Sequence, residues 1–297
     1  YFPGVTFNAP IGGQYTSGEA VRVSGSLLDQ SLDRILWRFQ TAGEHPDTIR
    51  FYSDVRAGGF DRRIIFHPIH AGTYDLEIFS GKRDEGLDFQ GRFSEVVVAA
   101  GNTAVRLPAD YFSGFTLDTP FEVDNTSGDP FRFSGSVSDG SITQLLLSLT
   151  PLERPDEKVQ FSLRVDEGKF DRTLVMHPSQ AGQYELELFA GLVGESKPLV
   201  DGFSPFTIAE GSGSVSLPSG YFDLVTLDTP IPTTNSSDDG IPLKGSVSDP
   251  TINQLFLRLT PLETGKDTLE FSTDVVEGVF SRSFAVHPSK AGVYELE

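Results

Sequence analysis

Polarity alternates along this chain with a period of two. In FRFSGSV, Phe131, Phe133 and Val137 fall on one face and Arg132, Ser134 and Ser136 on the other, as in a half-buried strand. QLLLSLT presents Leu145, Leu147 and Leu149, and VQFSLRV presents Val159, Phe161, Leu163 and Val165. KFDRTLVM returns with Phe170, Leu174 and Met176 after Glu167-Gly168, which reads as a hairpin turn. QYELELF supplies Tyr184, Leu186 and Leu188, and FSPFTIA is a last strand. FTLDTP opens the set, its Pro120 suited to a sheet edge. No segment carries an amphipathic-helix period. About seven strands of roughly 5 to 8 residues within about 110 predict an antiparallel β-sandwich.

The pattern occurs three times. Tyr1-Phe2, Tyr111-Phe112 and Tyr221-Phe222 set a register of 110 residues that aligns all copies without a gap. Thr6, Thr116 and Thr226 coincide, as do Gly25, Gly135 and Gly245; Asp29, Asp139 and Asp249; and Arg62, Arg172 and Arg282. A fixed period of this size marks a tandem array of small domains. The expected organisation is 1–110, 111–220 and 221–297, the third copy lacking its last strand. That last copy is expected to be cut from a longer array; a strand donated by a neighbouring subunit is the other reading. The opening residue, Tyr1 rather than Met, suggests a processed chain or a piece of a longer one.

Each copy closes on one phrase: HPIHAGTYDLE, HPSQAGQYELE and HPSKAGVYELE, beginning at His67, His177 and His287. The chain leaves one strand at His-Pro, turns at Ala-Gly and enters the next with Tyr74, Tyr184 or Tyr294 pointing inward. This resembles the tyrosine corner of immunoglobulin-like and fibronectin-III-like sandwiches. Trp37 sits on the third strand of the first copy, where such folds place a core aromatic; Leu147 and Leu257 replace it in the others. The resemblance covers nearly the whole chain at fold level. It is similar to the tandem sandwiches of bacterial extracellular surface and filament proteins. It implies an all-β array of Ig-like domains, with the three tyrosines buried and bonded to backbone at the corner.

The linkers GNTAVRLPADYF and GSGSVSLPSGYF carry apolar residues where a flexible tether would be Gly/Ser-rich. Tyr111, Phe112, Tyr221 and Phe222 are therefore expected to bury the junctions and stiffen the array. Net charge is −19, with 42 acidic and 23 basic residues and no cysteine. This argues against nucleic acid, which needs clustered Lys and Arg, and removes disulfides and thiolate metal sites. The apolar runs are too short to span a bilayer as helices.

Candidate chemistry is sparse. His67, His177 and His287 recur at one position and are expected to cap the corner before Pro; His70 beside the first would need further ligands to hold a metal. The recurrent Arg62, Arg172 and Arg282 are expected to form ion pairs or carbonyl caps at the end of each sandwich, with an acid of the Asp139 series as partner. DNTSGD and NSSDDG offer weak calcium candidates in Asp124, Asp129, Asp238 and Asp239, without EF-hand spacing. Asn125 and Asn235 begin N-glycosylation-type triplets. No GxSxG motif and no nucleophile–histidine–acid set persists between copies, so no enzyme and no cofactor are expected. The expected function is structural: an extended stalk or filament at the cell surface or outside the cell, touching neighbouring repeats or other copies. The alternatives are a glycan- or protein-binding adhesin module, with Tyr15, Tyr52 and His45 as the glycan cluster, or an accessory region of a surface hydrolase.

Overall fold

A computed structural model describes all residues except 1, 43–46, 83–84, 102–103, 212–214, 223, 233–234, 236–239, 262–264, 293 and 297. His45, Asp238 and Asp239 thus lie outside the described residues. The fold is all-β, with antiparallel sandwiches of immunoglobulin-like strand order. The chain groups into two compact units: Tyr1–Asn125, Phe133–Asp171 and Gly182–Ala209 in one, and Thr126–Arg132, Arg172–Ala181 and Glu210–Glu297 in the other.

The first repeat contains β1 (Val5–Phe7), β2 (Gln14–Thr16), β3 (Val21–Leu27), β4 (Arg34–Gln40), β5 (Thr48–Arg56), β6 (Gly59–Ile64), β7 (Gly72–Lys82) and β8 (Gly86–Ala99). They run β1-β3-β6-β5-β4-β7-β8-β2. The sheet folds over at β5, which pairs with β4 over seven residues but with β6 only through Val55↔Phe60 and Arg56↔Gly59. One layer is therefore β1-β3-β6 and the other β5-β4-β7-β8-β2. β2 runs parallel to β8, as Gln14↔Val97 shows; the other described ladders are antiparallel. Between the layers Trp37, Phe39, Phe51, Phe66 and Tyr15 form a buried aromatic core, with Phe39 and Phe66 edge to face at 5.0 Å. Ser53 Oγ accepts from Trp37 Nε1 at 2.7 Å, so the indole brings no orphaned donor inside.

The second repeat adds β9 (Arg106–Leu107), β10 (Phe115–Leu117), β11 (Phe121–Glu122), β12 (Asp124–Thr126), β13 (Phe131–Val137), β14 (Gln144–Pro151), β15 (Val159–Arg164), β16 (Lys169–Leu174), β17 (Gly182–Gly191) and β18 (Leu199–Ala209). Its layers are β10-β13-β16 and β12-β18-β17-β14-β15. The third repeat follows with β19 (Ser216–Leu217), β20 (Val225–Leu227), β21 (Ile231–Pro232), β22 (Ile241–Val247), β23 (Gln254–Pro261), β24 (Leu269–Asp274), β25 (Val279–Phe284) and β26 (Tyr294–Leu296), in layers β20-β22-β25 and β24-β23-β26.

Two local devices explain why the strands fall in register. Glu167-Gly168 has φ of 49° and 74°, as do Ala57-Gly58 at 49° and 75° and Glu277-Gly278 at 53° and 78°; paired left-handed residues match the twist of a tight hairpin. Gly25, Gly135 and Gly245 lie so close to the opening strand that a Cβ would overlap the carbonyl oxygens of Thr6, Thr116 and Thr226. That contact accounts for the recurrence of both residues.

The alternation reading missed short pieces. DNTSGD, expected as an acidic loop, begins with β12 on the edge of the five-stranded sheet. The linkers also contain strand: β9 pairs with β11 through Leu107↔Phe121, and β19 with β21 through Leu217↔Ile231. Strands of two or three residues are too short to show a period.

Candidate functional site

The corner phrase builds the same turn in each repeat. His67, His177 and His287 precede a 3₁₀ turn, and their Nδ1 atoms accept from the backbone N–H of Ile69, Ser179 and Ser289 at 3.3, 3.2 and 3.2 Å. Pro at the next position gives up an N–H that the turn would leave unsatisfied. Tyr74 and Tyr184 are buried in the following strands, and Tyr74 Oη donates to His70 O at 2.9 Å. Tyr294 Oη donates to Lys290 O, but the ring is half-buried rather than buried. Tyr74 and Tyr184 are flanked by Val96 of β8 and Phe206 of β18.

Where the first repeat meets the second, within one compact unit, lies a buried polar seam. Arg62 projects from β6 and its Nη1 donates to Tyr111 O. Its guanidinium stacks over the Tyr111 ring with Cζ 4.0 Å from the centroid. Its Nη2 lies 2.5 Å from Asp201 Oδ2, and both side chains are 1% exposed. The two are close without being aligned as a hydrogen bond, so the attraction is coulombic. Asp201 is further held by the backbone N–H groups of Gly202 and Tyr52. Tyr111 Oη donates to Gly202 O at 3.1 Å, and Arg34 lies over the Tyr52 ring at 4.4 Å. Burial pushes the Asp201 carboxyl up to about 6 against the opposing pull of Arg62. The pair is therefore ionised at neutral pH at a desolvation cost.

A cavity of about 140 Å³ opens at this seam, lined by Arg50, Tyr52 and His70 from the first repeat and Glu185, Glu187 and Ser204 from the second. Burial, then the neighbouring Glu185 charge, raises the Glu187 carboxyl above its ordinary range. His70 Nε2 lies 3.0 Å from Ser204 O, and His67 Nε2 lies 3.3 Å from Asp124 Oδ1.

The arginine partners differ from the expectation. The acid beside Arg62 is Asp201 rather than Asp29: Asp29, Asp139 and Asp249 each use Oδ1 to accept from the backbone N–H and hydroxyl of Ser31, Ser141 and Thr251, at 2.9 and 2.7 Å in every copy. A carboxylate two residues before a backbone donor closes its own turn sooner than it reaches a strand end. Arg172 Nε donates to Tyr221 O at 3.1 Å, and Arg282 donates to Ser272 O. Tyr111 and Phe112 are buried, whereas Tyr221 and Phe222 are half-buried.

Of the glycan cluster, Tyr15 and Tyr52 are described residues. Tyr15 belongs to the core, where burial pushes its hydroxyl up to about 12. Tyr52 faces the seam. Among the described residues no group of three His, Asp or Glu could hold a metal ion. Asn125 and Asn235 turn their side-chain amides to Glu122 O and Pro232 O, and Ser127 of the first triplet is buried, accepting from Gly211 N at 2.9 Å. Sequence reasoning missed Asp201; its trace is a carboxylate set between Val200 and Phe203 in a strand that otherwise reads as apolar.

No family model and no curated protein matches this chain. Among solved structures it is similar to the tetra-tandem repeat in the extending region of a large adhesion protein, at 14% identity and TM-score 0.23, over 96% of this chain and 72% of that one. A marsupial T cell receptor aligns at 10% identity and TM-score 0.23, over 99% and 98%. The ICAM-5 ectodomain fragment aligns at 14% identity and TM-score 0.22, over 95% and 75%. Likenesses at this level assign neither partner nor activity.

Proposed function

We propose that this chain is a non-enzymatic spacer: three Ig-like sandwiches at 1–110, 111–220 and 221–297 forming part of an extended stalk or filament outside the cell. The observation that carries the reading is the seam. A flexible tether would leave Arg62, Tyr111 and Asp201 in water; here the linker is folded into strand and buried polar contacts. Burying an ion pair costs desolvation and does little for stability, but it fixes one geometry. Fixed geometry between successive sandwiches is what a spacer needs, and the acidic surface keeps such an array apart from its neighbours. The Arg-to-Tyr carbonyl bond recurs at Arg172 and Tyr221.

Small-angle scattering of the whole chain tests this. The expected result is an elongated particle whose maximum dimension is unchanged by monovalent salt. A particle that behaves as freely jointed beads removes the spacer reading, and saturable binding of one sugar on a glycan array replaces it with the adhesin reading.

A further inference from the structure

The last residue of the corner turn is used differently in each repeat. In the second, Gln180 turns back, its Oε1 accepting from His177 N at 2.8 Å. In the third, Lys290 pairs with Asp267. In the first, His70 reaches across the seam to Ser204 O at 3.0 Å. His67, three residues earlier, also reaches a residue of the second repeat, Asp124. The seam cavity touches His70, giving water and protons access to the ring.

We propose that His70 makes the seam between the first and second repeats acid-sensitive. The neutral ring, with its proton on Nε2, donates to the Ser204 carbonyl and holds the seam closed. Protonation at Nδ1 places a cation at a mostly buried position beside His67 and loosens it. The groups facing the ring are Asp47 from the loop before β5, Arg50 and Tyr52 from β5, His67 from its own corner, and Glu185 and Glu187 from β17. β18 offers the Ser204 carbonyl, and Tyr74 of β7 is occupied with His70 O.

Burial outweighs the help that Ser204 O and Asp47 give the charged ring, so His70 titrates below the ordinary 6.5. A histidine whose folded pKa is depressed contributes stability that is complete above its unfolded pKa and is lost as pH falls through the folded value. Asp201 changes charge in the same range with the opposite sign, because its folded pKa is raised. A comparison between variants therefore isolates the ring.

The test uses the full chain, wild type and His70→Gln, the residue that the second repeat carries at position 180. Urea unfolding is followed through Trp37, the chain's one tryptophan. Between about pH 7.5 and about pH 5 the wild-type unfolding constant is expected to rise roughly three- to tenfold relative to that of His70→Gln. NMR titration of the His70 ring is expected to place it below the ordinary 6.5. Parallel pH profiles, a His70 midpoint at or above the ordinary value, or flattening by His67→Gln instead would each overturn the proposal. None of these outcomes bears on particle length or sugar binding, which decide the spacer reading.

Discussion

Two arginines at equivalent positions show what the seam adds. Arg62 and Arg172 each bond the backbone carbonyl of the tyrosine that opens the next repeat, Tyr111 or Tyr221. Around Arg62 the guanidinium is buried, the ring is 4.0 Å away, and Asp201 closes the site. Arg172 is half-buried with its ring at 5.7 Å. The carbonyl bond is thus shared by the first two copies. At Arg62 the following repeat also supplies Asp201, from its last strand β18. The comparison sets a bond to the opening tyrosine alone beside a site that β18 also closes.

The largest effect should come from breaking the pair. Asp201→Ala leaves Arg62 buried and uncompensated and is expected to cost about 3–5 kcal/mol by Trp37-monitored urea unfolding. Arg172→Ala in the more open setting is expected to cost about 1 kcal/mol by calorimetry. Equal losses would erase the distinction between the sites. Removing both charges sharpens it: Arg62→Met with Asp201→Leu should recover most of the Asp201→Ala loss, since an apolar pair carries no desolvation cost. If the double variant stays as unstable as the single one, the seam depends on hydrogen bonds to Tyr111 and Gly202 rather than on charge balance.

A pH series probes the same pair. The folded Asp201 pKa of about 6 lies above the ordinary 3.8, so the folded state takes up a proton first as pH falls. Relative to Asp201→Asn, wild type should therefore gain stability from about pH 6 downward. A loss over that window would mean that Arg62 dominates and the carboxyl is depressed. The smallest effect belongs to the corners: Tyr74→Phe should cost about 1 kcal/mol, and Tyr294→Phe roughly half that or less, because its ring is half-buried. Thermal unfolding of both variants checks the order.

Much of the fold could be read in advance. Strand period, hairpins at Gly58, Gly168 and Gly278, and the repeat register follow from side-chain alternation and from φ angles that glycine tolerates. Ala-Gly-x-Tyr marked the corner, where Tyr74 and Tyr184 are buried and Tyr294 is half-buried. The buried seam was not. Asp201 has Gly91 as its counterpart in the first copy, so the register offered no pattern to follow. His70, set against Gln180 and Lys290, looked like variation at a turn rather than a contact between repeats.

The sequence by itself therefore determined what is local: an all-β chain, its period of 110 residues, its turns and the faces of its strands. These depend on alternation and backbone conformation within a few residues. Only the tertiary structure decided which carboxylate meets Arg62, that Tyr52 lines the seam, and that Ser204 O receives His70. Those outcomes depend on which groups lose water together, and desolvation is set by packing between segments more than a hundred residues apart.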